Sequence, residues 1–185
     1  MSKKLLVAGG GFSGVAAAIC AARNGMEVTL VEQSNNLGGA AAVNLVNPFM
    51  AYWTKNAAGE KEYLCSGFFQ ELTVAMKKAG ILASDEVTFA EEPLKLLLNR
   101  MVLQAGVRLL FNSRVIESNI SDKHIRSVTV YDTAQKLHLE ADYFIDATGD
   151  GNLFALSGVP FELGRPEDQL CQPMTLCFRL GNLKP

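Results

Sequence analysis

Hydrophobic and polar positions change rhythm several times along the chain, and each change marks an element. Lys4 to Ala8 is a short apolar run of strand length, closed by three consecutive glycines, Gly9 to Gly11. Phe12 to Asn24 is dense in small apolar residues (Val15, Ala16, Ala17, Ala18, Ile19, Ala21, Ala22) and predicts a helix that Gly25 ends. Glu27 to Glu32, EVTLVE, reads as a second strand. Strand, glycine turn, helix and strand in this order predict a βαβ unit and a parallel sheet.

A glycine-ended loop, NNLGGAAAVNLVNPFM, comes next. Ser66 to Lys78 predicts a helix, with Phe68, Leu72 and Met76 at every fourth position. Glu91 to Gln104 carries the clearest amphipathic pattern. Leu94, Leu97, Leu98, Met101 and Ala105 form a core-facing stripe, while Lys95, Arg100 and Gln104 face away. Gly106 stops it. VRLLF and SRVIESNI are strand-like. IRSVTVYD, KLHLEA and DYFIDAT predict a hairpin region whose chain returns into the sheet. GNLFALSG predicts a short helix. From Arg165 onward, turn residues surround one apolar run, MTLCFRL.

Composition narrows the class of molecule. The chain has 185 residues, 49% apolar and 19% charged, which suits a globular domain with a real core. A net charge of −2 gives no electrostatic footprint for nucleic acid or an anionic membrane surface. No apolar run approaches the roughly 20 residues that cross a bilayer. Lys3 and Lys4 before LLVAGGGFSGVAAAICAA resemble the start of a secretion signal, but the glycine block opposes an apolar signal helix. Cys20, Cys65, Cys171 and Cys177 lack C-x-x-C spacing and read as reduced, mostly buried thiols of a cytoplasmic protein. His124 and His138 lie in the hairpin region far from any Cys or acidic cluster, so no metal site is expected.

The glycines carry the chemistry. Gly9, Gly11 and Gly14 form G-x-G-x-x-G between a predicted strand and a predicted helix, with an acid at Glu32 after the second strand. Gly9 permits the tight turn, Gly11 lets a pyrophosphate approach the backbone, and Gly14 lets helix and strand pack closely. The helix start offers unpaired N–H groups and about half a positive charge to a diphosphate. Glu32, expected as a strand-end acid outside the core, can accept hydrogen bonds from ribose hydroxyls. Its charge also disfavours a 2′-phosphate, and with it NADP. The fold class that follows is α/β: a Rossmann-like FAD/NAD(P)-binding domain with a central parallel sheet, helices and an inserted β-hairpin or meander.

The longer stretch GGGFSGVAAAICAARNGMEVTLVEQSNNLGG resembles the nucleotide-binding signature of two-dinucleotide-binding flavoproteins, the broad class that includes fumarate reductase flavoproteins. Ala21, where a larger aliphatic is usual, departs from that pattern at a packing position. Further on, ATGDG through ELGR and then QPMTLCFRL resembles the FAD-dependent oxidoreductase family. The resemblance implies FAD as cofactor. It implies contacts from Gly9, Gly11, Phe12, Ser13 and Gly14 at the first turn, and from Glu32 and Gln33 at the ribose. Gly38, Gly39 and Ala40 would pass the flavin-side phosphate and ribityl, and Val115 would offer backbone groups to adenine. Ala147, Thr148, Gly149 and Asp150 would return beside the first turn, Asp150 mainly as a cap of the following helix. The Ala40–Phe49 loop would run beside the isoalloxazine, and it holds no Cys or His for a covalent link. Catalytic residues are not legible.

The resulting expectation is the FAD-binding portion of a flavin-dependent oxidoreductase acting on a small-molecule substrate. Residues 1–164 would form the FAD-binding domain and 165–185 the start of a second, substrate domain. In that arrangement the exposed C-terminal segment favours self-association. Two alternatives stand beside it: a nucleotide-binding module without activity of its own, and an NAD-dependent dehydrogenase. Gly38-Gly39 and Ala147-Thr148-Gly149 weigh against the second.

Overall fold

Strand β1 (Lys4–Ala8) lies at the centre of a four-stranded parallel sheet and sends alternate side chains to opposite faces. Leu5 and Val7 enter one apolar cluster, and Leu6 and Ala8 enter another. The computed structural model describes residues 2–181. The last four residues of the expected second-domain segment therefore lie outside the described residues.

Helix α1 (Phe12–Arg23) leads from β1 to β2 (Glu27–Val31), which pairs in parallel with β1 from Lys4 opposite Glu27 to Ala8 opposite Val31. A short helix α2 (Gly39–Ala42) follows, then a two-stranded hairpin of β3 (Trp53–Lys55) and β4 (Lys61–Tyr63). Helices α3 (Phe68–Lys78) and α4 (Glu91–Gln104) precede β5 (Arg108–Leu110), which adds to the far side of β2. Strands β6 (Arg114–Ser121), β7 (His124–Tyr131) and β8 (Lys136–Glu140) form a separate antiparallel meander. β9 (Tyr143–Asp146) then returns to the central sheet in parallel beside β1, and α5 (Asn152–Leu156) follows it. The sheet order is β5-β2-β1-β9.

The three layers follow from the side-chain pattern. α1, α3 and α4 cover one face of the sheet with Val15, Ile19, Leu72, Met76, Leu94, Leu98 and Val102. The meander and α5 cover the other with Val115, Val128, Val130 and Leu153. A fully buried Leu or Ile contributes roughly 1.5–3 kcal/mol relative to exposure, so both faces hold the sheet firmly.

Several sequence expectations need correction. The third helix begins at Phe68 instead of Ser66, because Gly67 takes φ 66° and serves as its N-cap. Lys95 does not stand free: its side chain is mostly covered and pairs with Glu92 at 2.6 Å. The cysteines are not mostly buried; Cys20, Cys65 and Cys171 are exposed and Cys177 half-buried, because they lie on the solvent side of α1 and in loops. The β3–β4 hairpin and α2 were not legible in the sequence.

Candidate functional site

A cavity of about 470 Å³ opens at the carboxyl ends of β1, β2 and β9. Its walls include Ala8, Gly9 and Gly11 from the first turn, Glu32, Gln33 and Ser34 after β2, and Gly39 and Ala40 at the start of α2. Ser113, Arg114 and Val115 of the β6 entry and Ala147 to Asp150 with Asn152 complete it. Carboxyl-end crevices where neighbouring connections diverge are where open α/β sheets bind ligands.

The first turn is shaped by its glycines. Gly9 has φ 99°, and a Cβ there would stand 2.5 Å from the carbonyl oxygen of Ala147. A Cβ at Gly14 would stand 1.8 Å from the carbonyl oxygen of Gly9, so only glycine lets α1 sit this close to the turn. Gly11 is different. Its backbone is extended (φ −66°, ψ 178°), and an added Cβ would meet nothing within 4 Å. No packing inside the protein requires glycine there, and the residue faces the cavity. Gly11 is also the N-cap of α1 and supplies no side-chain cap, leaving the first-turn N–H groups free for an anion.

Glu32 is more deeply placed than a strand-end acid outside the core. It is 7% exposed, just beyond the end of β2. Its Oε2 accepts from Gly10 N–H at 2.6 Å, and its Oε1 accepts from Ser34 N–H at 2.7 Å. The carboxylate thus bridges the glycine turn to the loop after β2, while still lining the cavity. The fit leaves no room at Gly10, where a Cβ would meet Leu37 Cδ2 at 2.6 Å and Glu32 Oε2 at 2.9 Å.

The return loop after β9 is pinned by Asp146, not by Asp150. Asp146 Oδ1 accepts from the N–H and hydroxyl of Thr148 at 2.9 and 2.6 Å, and Oδ2 accepts from Phe154 N–H at 2.9 Å. Thr148 Oγ1 accepts from Asn152 N–H at 2.9 Å. Gly151 is the N-cap of α5 and no side chain caps from that position. Asp150 is exposed on the cavity wall, so its expected capping role passes to Asp146 and Thr148.

Of the residues expected from sequence, Gly9, Gly11, Glu32, Gln33, Gly39, Ala40, Val115, Ala147, Thr148, Gly149 and Asp150 line one cavity. Phe12, Ser13, Gly14 and Gly38 stand beside it. Phe12 packs on Phe49 with ring centroids 5.6 Å apart, Ser13 is exposed, and Gly38 N–H donates to Gly10 O at 2.9 Å. Asn44 belongs to the 40–49 loop expected beside the flavin; Ser34, Ser113, Arg114 and Asn152 were missed, since no motif marks them, and Arg114 brings a cation to the wall. Arg165 pairs with Asp168 at 2.7 Å on the surface. Among the described residues, no cluster of three or more His, Cys, Asp or Glu is placed to hold a metal, and no helix is long and apolar enough to cross a membrane.

Fold and cavity together define a dinucleotide-binding α/β protein. A model of the FAD dependent oxidoreductase family matches residues 4–185, and the chain belongs to that family. No curated protein matches it in sequence. Among solved structures, THI4 of Thermovibrio ammonificans is similar at TM-score 0.57 and 14% identity, over 88% of this chain and 66% of that one. A geranylgeranyl bacteriochlorophyll reductase-like protein of Thermoplasma acidophilum is similar at TM-score 0.56 and 14% identity, over 85% and 42%. L-proline dehydrogenase of P. horikoshii is similar at TM-score 0.55 and 15% identity, over 85% and 56%. These likenesses establish the fold, and the chain spans 42% to 66% of the lengths of these structures.

Proposed function

We propose that this chain is the FAD-binding portion of a flavin-dependent oxidoreductase whose cofactor is held without a covalent link. The observation that carries this reading is Gly11: a glycine at the mouth of an uncapped helix, facing a cavity, with no packing reason to lack a side chain. FAD, when bound, supplies hydride or electron transfer. The chain's own residues bind and orient. The N–H groups at the start of α1 meet the pyrophosphate, Glu32 and Gln33 meet the adenosine ribose, and the Val115 backbone meets adenine. Gly38 to Ala40 and Ala147 to Asp150 guide the flavin-side half. The substrate is a small molecule, and its contacts belong mainly to a second domain beginning near Arg165. A cytoplasmic setting suits four thiols without a disulfide.

A second reading is a nucleotide-binding module without turnover of its own. The two readings share the cofactor and differ in activity. Melting temperature measured with FAD and with NAD tests the shared part, since a ligand stabilises by its concentration over Kd. FAD is expected to raise it and NAD to leave it nearly unchanged; the reverse would overturn the assignment. Specific, saturable flavin reduction by the isolated chain would exclude the second reading.

A further inference from the structure

Glu91 opens α4, yet its side chain is only 8% exposed, and it meets the Arg179 guanidinium at 2.6 Å from 88 residues away. Its own backbone N–H and the Arg179 guanidinium hold its carboxyl below the usual range against the opposing effect of burial. Arg179, itself largely exposed, lies in a tail that is exposed along most of its length. Met174, Leu176, Phe178 and Leu180 are exposed, while between them Cys177 is half-buried and Arg179 reaches Glu91.

The other side of Glu91 leads toward the cofactor cavity. Phe89, two residues earlier, is buried with its ring centroid 4.4 Å from that of Phe49. Asn47 donates from Nδ2 to the Phe89 carbonyl and accepts from Phe89 N–H at Oδ1. Phe49 in turn packs on Phe12, the residue after Gly11. A continuous series of packed groups therefore joins the tail to the glycine turn through the 40–49 loop.

We propose that Arg179 is a positioning residue: by holding Glu91 it seats the tail on α4 and, through Phe89, fixes the 40–49 loop against the glycine turn, coupling tail seating to cofactor retention. The inference rests on the FAD reading of the cavity. Its physical basis is the cost to a carboxylate, 8% exposed, of losing the one cation that pairs with it among the described residues. Without Arg179 the carboxylate keeps its own backbone N–H and draws water to the first turn of α4, and movement there passes to Phe89 and Asn47. Replacing Glu91 with a neutral isostere removes that drive.

The test uses the full chain. Amide exchange at Asn44 to Phe49 is measured without FAD, and FAD dissociation is followed by flavin emission. Arg179→Ala is expected to raise both rates about fivefold or more, the lower end of ordinary coupling between sites. Arg179→Lys is expected to restore both toward the parent. Arg179→Ala with Glu91→Gln is expected to lie nearer the parent than Arg179→Ala alone, and Met174→Ser on the outer side of the tail to change neither. Faster exchange confined to residues 170–181, with residues 44–49 and FAD dissociation unchanged, would overturn the proposal. If Arg179→Ala does not fold, the Lys and double variants decide by the same readouts. Failure of the parent chain to bind FAD would sink the proposed function instead, while exchange in the FAD-free chain still decides the coupling.

Discussion

Glu32 shows how a residue can be found in sequence for one role and serve two. Its spacing from the glycine turn was legible, because both lie within one βαβ unit. Its burial was not, because that depends on Leu37 and Gly10 closing over it. Both carboxylate oxygens hold backbone N–H groups, so Glu32→Ala strands the buried Gly10 donor. It is expected to cost the FAD-free chain about 1–3 kcal/mol, read from denaturant midpoints. Glu32→Gln keeps one acceptor and is expected to cost less. A Glu32→Ala chain as stable as its parent would leave Glu32 only a ligand-facing role. Gly14→Ala is expected to be worse, about 3 kcal/mol, because its methyl would collide with the backbone oxygen of Gly9. Gly9, Gly11 and Gly14 were legible as a motif; Gly10 was not, since its constraint is tertiary.

At the scale of elements, local patterns were read well and long-reach devices were missed. The pattern of DYFIDAT predicts a return into the sheet, and the resemblance at Ala147-Thr148-Gly149 implies a place beside the first turn, where β9 pairs with β1; its anchor is not Asp150 but Asp146, which reaches eight residues ahead to Phe154 N–H. Asp146→Ala is therefore expected to cost about 1–2 kcal/mol, as lost helix caps do, while Asp150→Ala stays within about 0.5 kcal/mol. Equal denaturant midpoints for the two variants would refute this division. The β3–β4 hairpin escaped notice because its strands carry exposed polar residues without an apolar alternation. It is fastened by Glu86, which pairs with Lys61 and, at 2.7 Å, with Lys77. Those hydrogen bonds lower the Glu86 pKa from 4.5 to about 2. A depressed carboxylate stabilises fully above its unfolded value and loses that contribution as pH falls through its folded value. The hairpin is thus expected to loosen between pH 4.5 and 2. Trp53, the single tryptophan, lies under Lys61 at 4.3 Å and reports the change by its emission. Glu86→Gln is expected to abolish that pH step; an unchanged step would remove Glu86 as its source.

For the molecule as a whole, the α/β class and the order of most elements followed from periodicity and glycine placement. The inserted meander was legible too, and it forms a sheet of its own, β6-β7-β8; the position of β5 beside β2 was not legible, because strand neighbours are chosen by packing across distant segments. Phe161 and Leu163, and Leu170, Met174, Leu176, Phe178 and Leu180 in the tail after them, are exposed, and a run of exposed apolar side chains favours a partner surface. Light scattering is expected to find concentration-dependent association that Leu176→Ser with Phe178→Ser reduces; a parent chain monomeric at all concentrations would contradict it. If the glycine turn cradles the cofactor, Gly11 is the residue that isolates that role. Its backbone is extended and an added Cβ would meet nothing within 4 Å, so Gly11→Val should cost folding only about 1 kcal/mol, the penalty of an aliphatic residue at an N-cap. Titration of FAD emission with parent and Gly11→Val chains is the most direct test. The variant is expected to fold and to bind FAD at least about tenfold more weakly, a loss of about 1.4 kcal/mol. Equal FAD affinity in a normally folded Gly11→Val chain would contradict it.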